Sequence, residues 1–328
     1  MNEALDHYSQ TLSAYQAIGN RLEEVGELQF GAVQGGGLGL AGATFQALLR
    51  NPLAEPYILG ISGGAAAAAV TVLALGVVSA GSWVLPAAAF GGALLAILLV
   101  FRVASAADRS FDVRVLLLAG VVVGAFFSAM IALWFALSEA STVRSAVLWM
   151  MGSLAGADWG VVVTAAAYTL PAGMVLVALA RPLDLLAIGE ETATYLGANV
   201  EQVKRLAFGM ASLITAAGVA VAGVIGFVGL IVPHAVRLVV GSGHRALLPL
   251  SFLAGSAFLV LADVVARLVI APAEIPIGVV TAFTGVPLFL VLLRKSLRRR
   301  LVSAEVPVVL GAVADLVQDN PLVSLPPG

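Results

Sequence analysis

Cysteine is absent from the 328 residues, which excludes disulfide frameworks, thiolate metal centres and cysteine nucleophiles. Charge is scarce as well: Asp, Glu, Lys and Arg make up 11% of the chain, against about 25% in soluble domains. No sign dominates. The net charge of −2 supplies no basic field for nucleic acid. The three histidines, His7, His234 and His244, stand too far apart in sequence for metal-ligand spacing. A phosphate-binding loop of the G-x-x-x-x-G-K-[ST] type is missing, so the chain has no P-loop with which to hydrolyse a nucleotide. What is abundant is apolar: 60% of residues are hydrophobic and the mean hydropathy is +1.03. One soluble core cannot hide so large an apolar share. The composition defines an all-α, polytopic membrane protein.

Residues 1–30 are polar and acidic (Glu3, Asp6, Glu23, Glu24, Glu27), with neither the basic start nor the apolar centre of a signal peptide. Leu12, Tyr15 and Ile18 could share one side of an amphipathic helix there. Apolar stretches follow at the spacing that a bilayer core about 30 Å thick imposes on helices. Their positions predict about nine spans, near 31–49, 57–78, 83–103, 113–137, 160–180, 204–222, 226–240, 246–270 and 276–293. The stretch 226–240 is short and punctuated by Gly and Pro, which predicts a tilted or partial span. The sequence divides into an acidic segment 1–30, a transmembrane domain 31–295 and a polar tail 296–328. No tandem repeat is visible. Alternation of sides gathers fourteen of the seventeen Lys and Arg residues at one face, leaving Arg21, Arg144 and Arg267 at the other. The first face is therefore cytoplasmic. Trp83, Trp134, Trp149 and Trp159 fall at the outer interface, where aromatic belts sit.

Gly37-Leu38-Gly39-Leu40-Ala41-Gly42 fits a dinucleotide fingerprint by its letters, but it lies in an apolar span with no strand before it. Gly31, Gly35 and Gly39 recur every four residues and predict a flat face for close helix packing; Gly120, Gly124 and Ser128, and Gly152 and Gly156, read similarly. Asp263 and Arg267 are four apart and can pair on one helix face. Acids at mid-membrane are otherwise scarce, so energy for transport must come from elsewhere, most simply a separate ATPase.

Several ordered motifs resemble the permease subunits of the ABC importers for iron-siderophores, haem and cobalamin, the type II importers. They are AGATFQ at 41–46, RNPLAEP at 50–56, LGISGGA at 59–65, LLLAG at 116–120, WMMGSL at 149–154, GEE at 189–191 with LG at 196–197, GFVGLIVPH at 226–234 with Arg237, ADVVAR at 262–267, EIPIG at 274–278 and GVPLF at 285–289. The resemblance implies an all-helical permease in the bacterial inner membrane. It pairs with a second copy of itself, docks two ATP-binding subunits that hold the ATP and Mg, and receives substrate from a periplasmic binding protein. No cofactor is expected in the chain itself. By the same resemblance 183–200 is the ATPase-coupling loop, with Leu183, Gly189, Glu190, Glu191, Leu196 and Gly197. The segment 138–158, with Trp149, Gly152 and Ser153, is the outer gate, and Arg267 is a docking arginine for the binding protein. The family usually has ten spans; here the acidic segment stands in place of the first, and Glu24 and Glu27 reverse the charge of a basic docking stretch. Two other readings stay open: an ion-coupled secondary transporter, and a truncated, non-transporting paralogue. Siderophore, haem and cobalamin are not distinguished by the sequence.

Overall fold

The computed structural model describes the backbone of residues 2–78, 83–107, 113–270, 273–291 and 294, with side chains from Glu24 onward for nearly all of these. The tail 296–328, the face of Leu12, Tyr15 and Ile18, and the side chains of Arg21, Arg109 and Arg114 lie outside the described residues. Among the described residues every regular element is helical: α1 (Asn2–Leu48), a 3-10 turn (Pro56–Leu59), α2 (Ile61–Ala74), α3 (Val84–Ala107), α4 (Val113–Leu137), α5 (Ala140–Met150), α6 (Trp159–Ala178), α7 (Ala180–Ile188), α8 (Glu190–Tyr195), α9 (Val200–Ala222), α10 (Val228–Val240), α11 (His244–Leu268) and α12 (Ile277–Val291). Five of them are long and apolar enough to cross a membrane, namely α3, α4, α6, α9 and α11. The chain divides at Thr284; the rest of the description concerns residues before it.

The helix predicted over 31–49 and the acidic segment before it are one unbroken helix, α1. Its second half is the hub of the fold, packed against α6, α9, α10 and α11. Small residues let it approach so closely. A methyl group on Gly35 would strike the Gly255 carbonyl of α11, one on Gly39 the Ser251 carbonyl, and one on Gly42 the Gly229 backbone of α10. The four-residue glycine spacing of α1 is thus a packing face, as its period predicts; Gly152 and Gly156, spaced alike, lie instead in the non-helical loop 151–158 with positive φ and form no helix face. Gly64 and Gly92 meet in the same way where α2 crosses α3.

Two spans are interrupted. At 13 residues, α10 is about 20 Å long, short of a hydrocarbon core of about 30 Å; α2, at 14 residues, is similar. Matching each against α1 locates the gaps. Gly218 of α9 lies level with Gln34, while Gly229 packs against Leu38 and Gly42. The non-helical linker 223–227 therefore runs beside the part of α1's apolar stretch nearer Gly31, and α10 packs only beside the part nearer the basic end. The other interruption is its inverse: 51–60 rises from the basic end without α-helix and α2 completes the span. The neighbours repeat this inversion, because α1 packs on α11 and α9 on α3, while each set runs in the opposite sense. The sequence carries no visible trace of that relation.

Candidate functional site: two interrupted spans and the ends they join

Irregular backbone at membrane depth survives only where protein satisfies its polar groups, and here named side chains do so. Gln46 of α1 donates from Nε2 to the carbonyls of Gly229 and Leu230, each at 3.2 Å. Its Oε1 accepts from Arg237 Nη2 at 3.0 Å. Glu55 reaches across from the first interruption and accepts the Phe227 amide at 2.6 Å, capping α10 from another segment; Tyr57 Oη accepts from the Ile225 amide at 3.3 Å. Among the described residues, Arg50 (φ 45°) and Phe227 (φ 68°) are the non-glycine residues with positive φ. That backbone costs a bulky residue roughly 1–3 kcal/mol and persists only where its surroundings enforce it. By sequence Glu55 falls between the spans expected near 31–49 and 57–78; the structure places it at the crossing of the two interruptions. The string Gly60-Ile61-Ser62-Gly63-Gly64 fits a nucleophile elbow by its letters, but Ser62 opens α2 after a 3-10 turn rather than following a strand.

At the basic end, the expected coupling residues form a short elbow of two helices. Gly189 (φ 151°) separates α7 from α8, and Gly197 (φ 86°) ends α8; Asn199 then caps α9 by accepting the Gln202 amide at 3.1 Å. Leu183 and Leu186 are buried, while Ile188 (70%), Tyr195 (90%) and Leu196 (61%) stand exposed. Glu190 is not free for an outside contact. It pairs with Arg50 at 2.8 Å and with the buried Lys204 at 2.6 Å. Glu191 is exposed. Asp184 hooks α7 to the start of α11 through the His244 amide at 2.9 Å and the His244 ring at 2.6 Å. Sequence reasoning missed Gln46, Glu55, Tyr57 and Asp184; the polar letter of Gln46 inside an apolar stretch was the available signal.

At the tryptophan end, Trp149, Gly152 and Ser153 are gathered against the linker 223–227. The Ser153 amide donates to the Ala222 carbonyl at 2.9 Å. Gly152 adopts φ 76°, an added Cβ would lie 3.0 Å from both Ile225 Cγ1 and the Val224 carbonyl oxygen, closer than ordinary contact, and the Trp149 carbonyl lies against Gly223. The amides of Ile277 and Gly278 donate to the carbonyls of Gly152 and Met151 at 3.2 and 3.0 Å. Arg267, which the sequence offered as a docking cation, is committed within the chain: to Asp263 at 2.8 Å and to Glu27 at 2.6 Å, with Glu274 at 3.9 Å. Glu27 is buried, and its other oxygen accepts the Gly156 amide at 2.5 Å. Glu27 thus ties α1 to α11 and to the loop before α6. Glu24 is exposed. Among the described residues no group of three or more His, Asp or Glu could hold a metal.

An all-helical bundle with a buried hub and two interrupted spans, whose non-helical backbone is satisfied at membrane depth, defines a multi-pass permease. Residues 25–295 match the FecCD transport family, and the chain belongs to that family. It is 45% identical over 265 residues to the cobalamin import system permease protein BtuC of Halobacterium salinarum, covering 80% of this chain and 70% of that one. Identity is 42% over 264 residues to the vitamin B12 import system permease BtuC of Citrobacter koseri, covering 80% and 79%. It is 41% over 267 residues to the ABC transporter permease YvrB of Bacillus subtilis, covering 80% and 75%. Among solved structures, one described as a metal-chelate type ABC transporter in an inward-facing conformation superposes with a TM-score of 0.76 at 33% identity, over 83% of this chain and 85% of that chain. The protein is a membrane permease subunit of the ABC importer type.

Proposed function

We propose that the chain, as a pair of identical copies, conducts a corrinoid of the cobalamin type across the bacterial inner membrane. Two ATP-binding subunits would hold the ATP and Mg, and a periplasmic binding protein would deliver the substrate. The cargo follows that of the cobalamin and vitamin B12 import permeases at 45% and 42% identity. The observation that carries the rest is the elbow of α7 and α8, where Ile188, Tyr195 and Leu196 project from a base anchored by Leu183 and Leu186. Exposed apolar side chains on a rigid turn at the basic end, beyond the lipid-facing helices, are suited to a protein groove. Glu191 supplies the free charge, while Glu190 holds the elbow to the permease through Arg50 and Lys204. The turn 149–153 would close the outer mouth. A binding protein would dock over the Arg267 network, where Glu274 is half exposed.

The test is reconstitution of the chain with its ATP-binding subunits and binding protein in vesicles, followed by uptake of labelled cobalamin and of a ferric siderophore. ATP-dependent cobalamin uptake is expected, and Tyr195→Ala combined with Leu196→Ala should release the ATPase from the complex. Siderophore uptake alone would reassign the cargo. Uptake driven by an ion gradient without the ATPase would favour a secondary transporter.

A further inference from the structure

The coupling elbow and the outer turn lie at opposite ends of the molecule, yet one continuous series of non-helical segments joins them. Glu190 of α8 holds Arg50 at 2.8 Å. Arg50 opens the interruption 50–57, at whose far end Glu55 accepts the Phe227 amide at 2.6 Å. Phe227 closes the linker 223–227. That linker begins beside the turn 149–153, through Ser153 on the Ala222 carbonyl and Gly152 against Val224 and Ile225. Both non-glycine residues with positive φ among the described residues, Arg50 and Phe227, fall on this route, one opening the Glu55 segment and the other supplying the amide that Glu55 holds. Long helices transmit motion as rods, but a strained single residue between two of them is where a chain can pivot.

We propose that the segment 50–57 is the relay by which α8 moves the outer turn, with Arg50 and Phe227 as its pivots and Glu55 as the positioning residue that joins the two interruptions. This rests on the reading of α7 and α8 as the ATPase-facing elbow. Displacement of Glu190 pulls Arg50, the segment swings, and Glu55 carries the linker and the Gly152 turn with it. Helices α9 and α10, which the linker connects, need not unwind for this to happen.

The chain lacks cysteine, so Ser153→Cys gives a single, exposed labelling position on the outer turn. In the full reconstituted assembly, the spin-label spectrum at that position is expected to change on ATP addition. Glu55→Gln and Arg50→Ala should each lower substrate moved per ATP hydrolysed on the order of 10-fold and abolish the label's response, while hydrolysis continues. Because both act on one route, the double variant should be no worse than the poorer single one. If wild-type protein transports but these variants keep its coupling and label response, the relay is wrong and the functional reading stands. Additive losses, or assembly, hydrolysis and transport falling in proportion, would also overturn it by making the residues structural only. If wild-type protein with its ATPase transports nothing on ATP, the functional reading itself fails and takes the relay with it.

Discussion

The two interrupted spans differ in what breaks them and in what satisfies the broken backbone. The first, 51–60, is broken by Pro52 and Pro56, which remove amide donors and bar a helix before them. Much of its repair is local: Asn51 Oδ1 accepts the Leu53 amide at 3.0 Å, and the Ala54 amide donates to the Asn51 carbonyl at 3.0 Å. The second, 223–227, contains no proline. Its repair comes from elsewhere in the chain: Glu55 and Tyr57 hold the Phe227 and Ile225 amides, and Gln46 holds the first carbonyls of α10 just beyond it. A break with a local cause keeps its shape alone, whereas a break held from outside takes its shape from whatever holds it. The second interruption is therefore the one that motion elsewhere can reshape.

The sharpest way to break this contrast is at the point where the two interruptions touch. A methyl group on Gly229 would lie 2.7 Å from Pro56 Cδ and 3.0 Å from the Leu38 carbonyl. Neither a proline ring nor a helix carbonyl can yield easily. Gly229→Ala is expected to cost about 1–3 kcal/mol or more, read as a lowered unfolding temperature in detergent. Gly91→Ala is the counterpart: nothing lies within 4 Å of its added Cβ, and in the middle of α3 the change should stabilise by up to about 1 kcal/mol.

The dependence on outside support is measured by Gln46→Leu against Asn51→Ala. Gln46 is 3% exposed and bonds α10 from both ends of its amide. Removing it leaves the Gly229 and Leu230 carbonyls and the Arg237 guanidinium short of partners, at a cost of roughly 1–3 kcal/mol. Asn51 is exposed, so water can replace its bond to Leu53, and the loss should stay within about 1 kcal/mol. Equal losses at the two positions would show that both interruptions are held in the same way.

This contrast also explains what the sequence disclosed. Proline is a local signal, and the break before α2 could be read from Pro52 and Pro56. The short span at 226–240 showed itself by length and by Gly and Pro, but not the depth at which it starts. That depth follows from Gly229 meeting Gly42 and Leu38, a packing relation between residues nearly two hundred apart. The glycine face of α1 was legible because a four-residue period is a helical property. The Asp263–Arg267 pair was legible for the same reason, being one helical turn apart; the pairing of Glu27 with Arg267 and of Glu190 with Arg50 was not, because an ion pair between distant segments leaves no local pattern. Glu27 read as a surface charge, and it is buried on Arg267.

The elbow offers a smaller test, on two adjacent carboxylates. Glu190→Lys places a third cation beside Arg50 and Lys204, and Lys204 has a side chain only 5% exposed. Leaving a charge of that burial without its acid should cost roughly 1–2 kcal/mol and should loosen α8 enough to raise protease cleavage at Gly189. Glu191→Lys changes an exposed side chain and is expected to stay within about 0.5 kcal/mol, with any effect confined to ATPase binding. Indistinguishable folding in the two variants would remove Glu190 from the support of the elbow.

The smallest effect separates the two side chains that span the interruptions. Tyr57→Phe deletes only the 3.3 Å contact from the Ile225 amide to Oη and leaves the ring in place. Ile225 is 1% exposed, so its amide loses a partner that water does not readily replace. The contact is long, however, which places the cost near the lower end of the usual range, about 0.5 kcal/mol. Glu55 makes a much shorter bond, 2.6 Å, to the Phe227 amide, at the short end of hydrogen-bond distances. Tyr57→Phe should therefore lower the unfolding temperature slightly and leave transport per ATP near wild type, whereas Glu55→Gln lowers transport per ATP. If Tyr57→Phe uncouples as strongly as Glu55→Gln, the linker is steered by the whole crossing rather than by the carboxylate at its end.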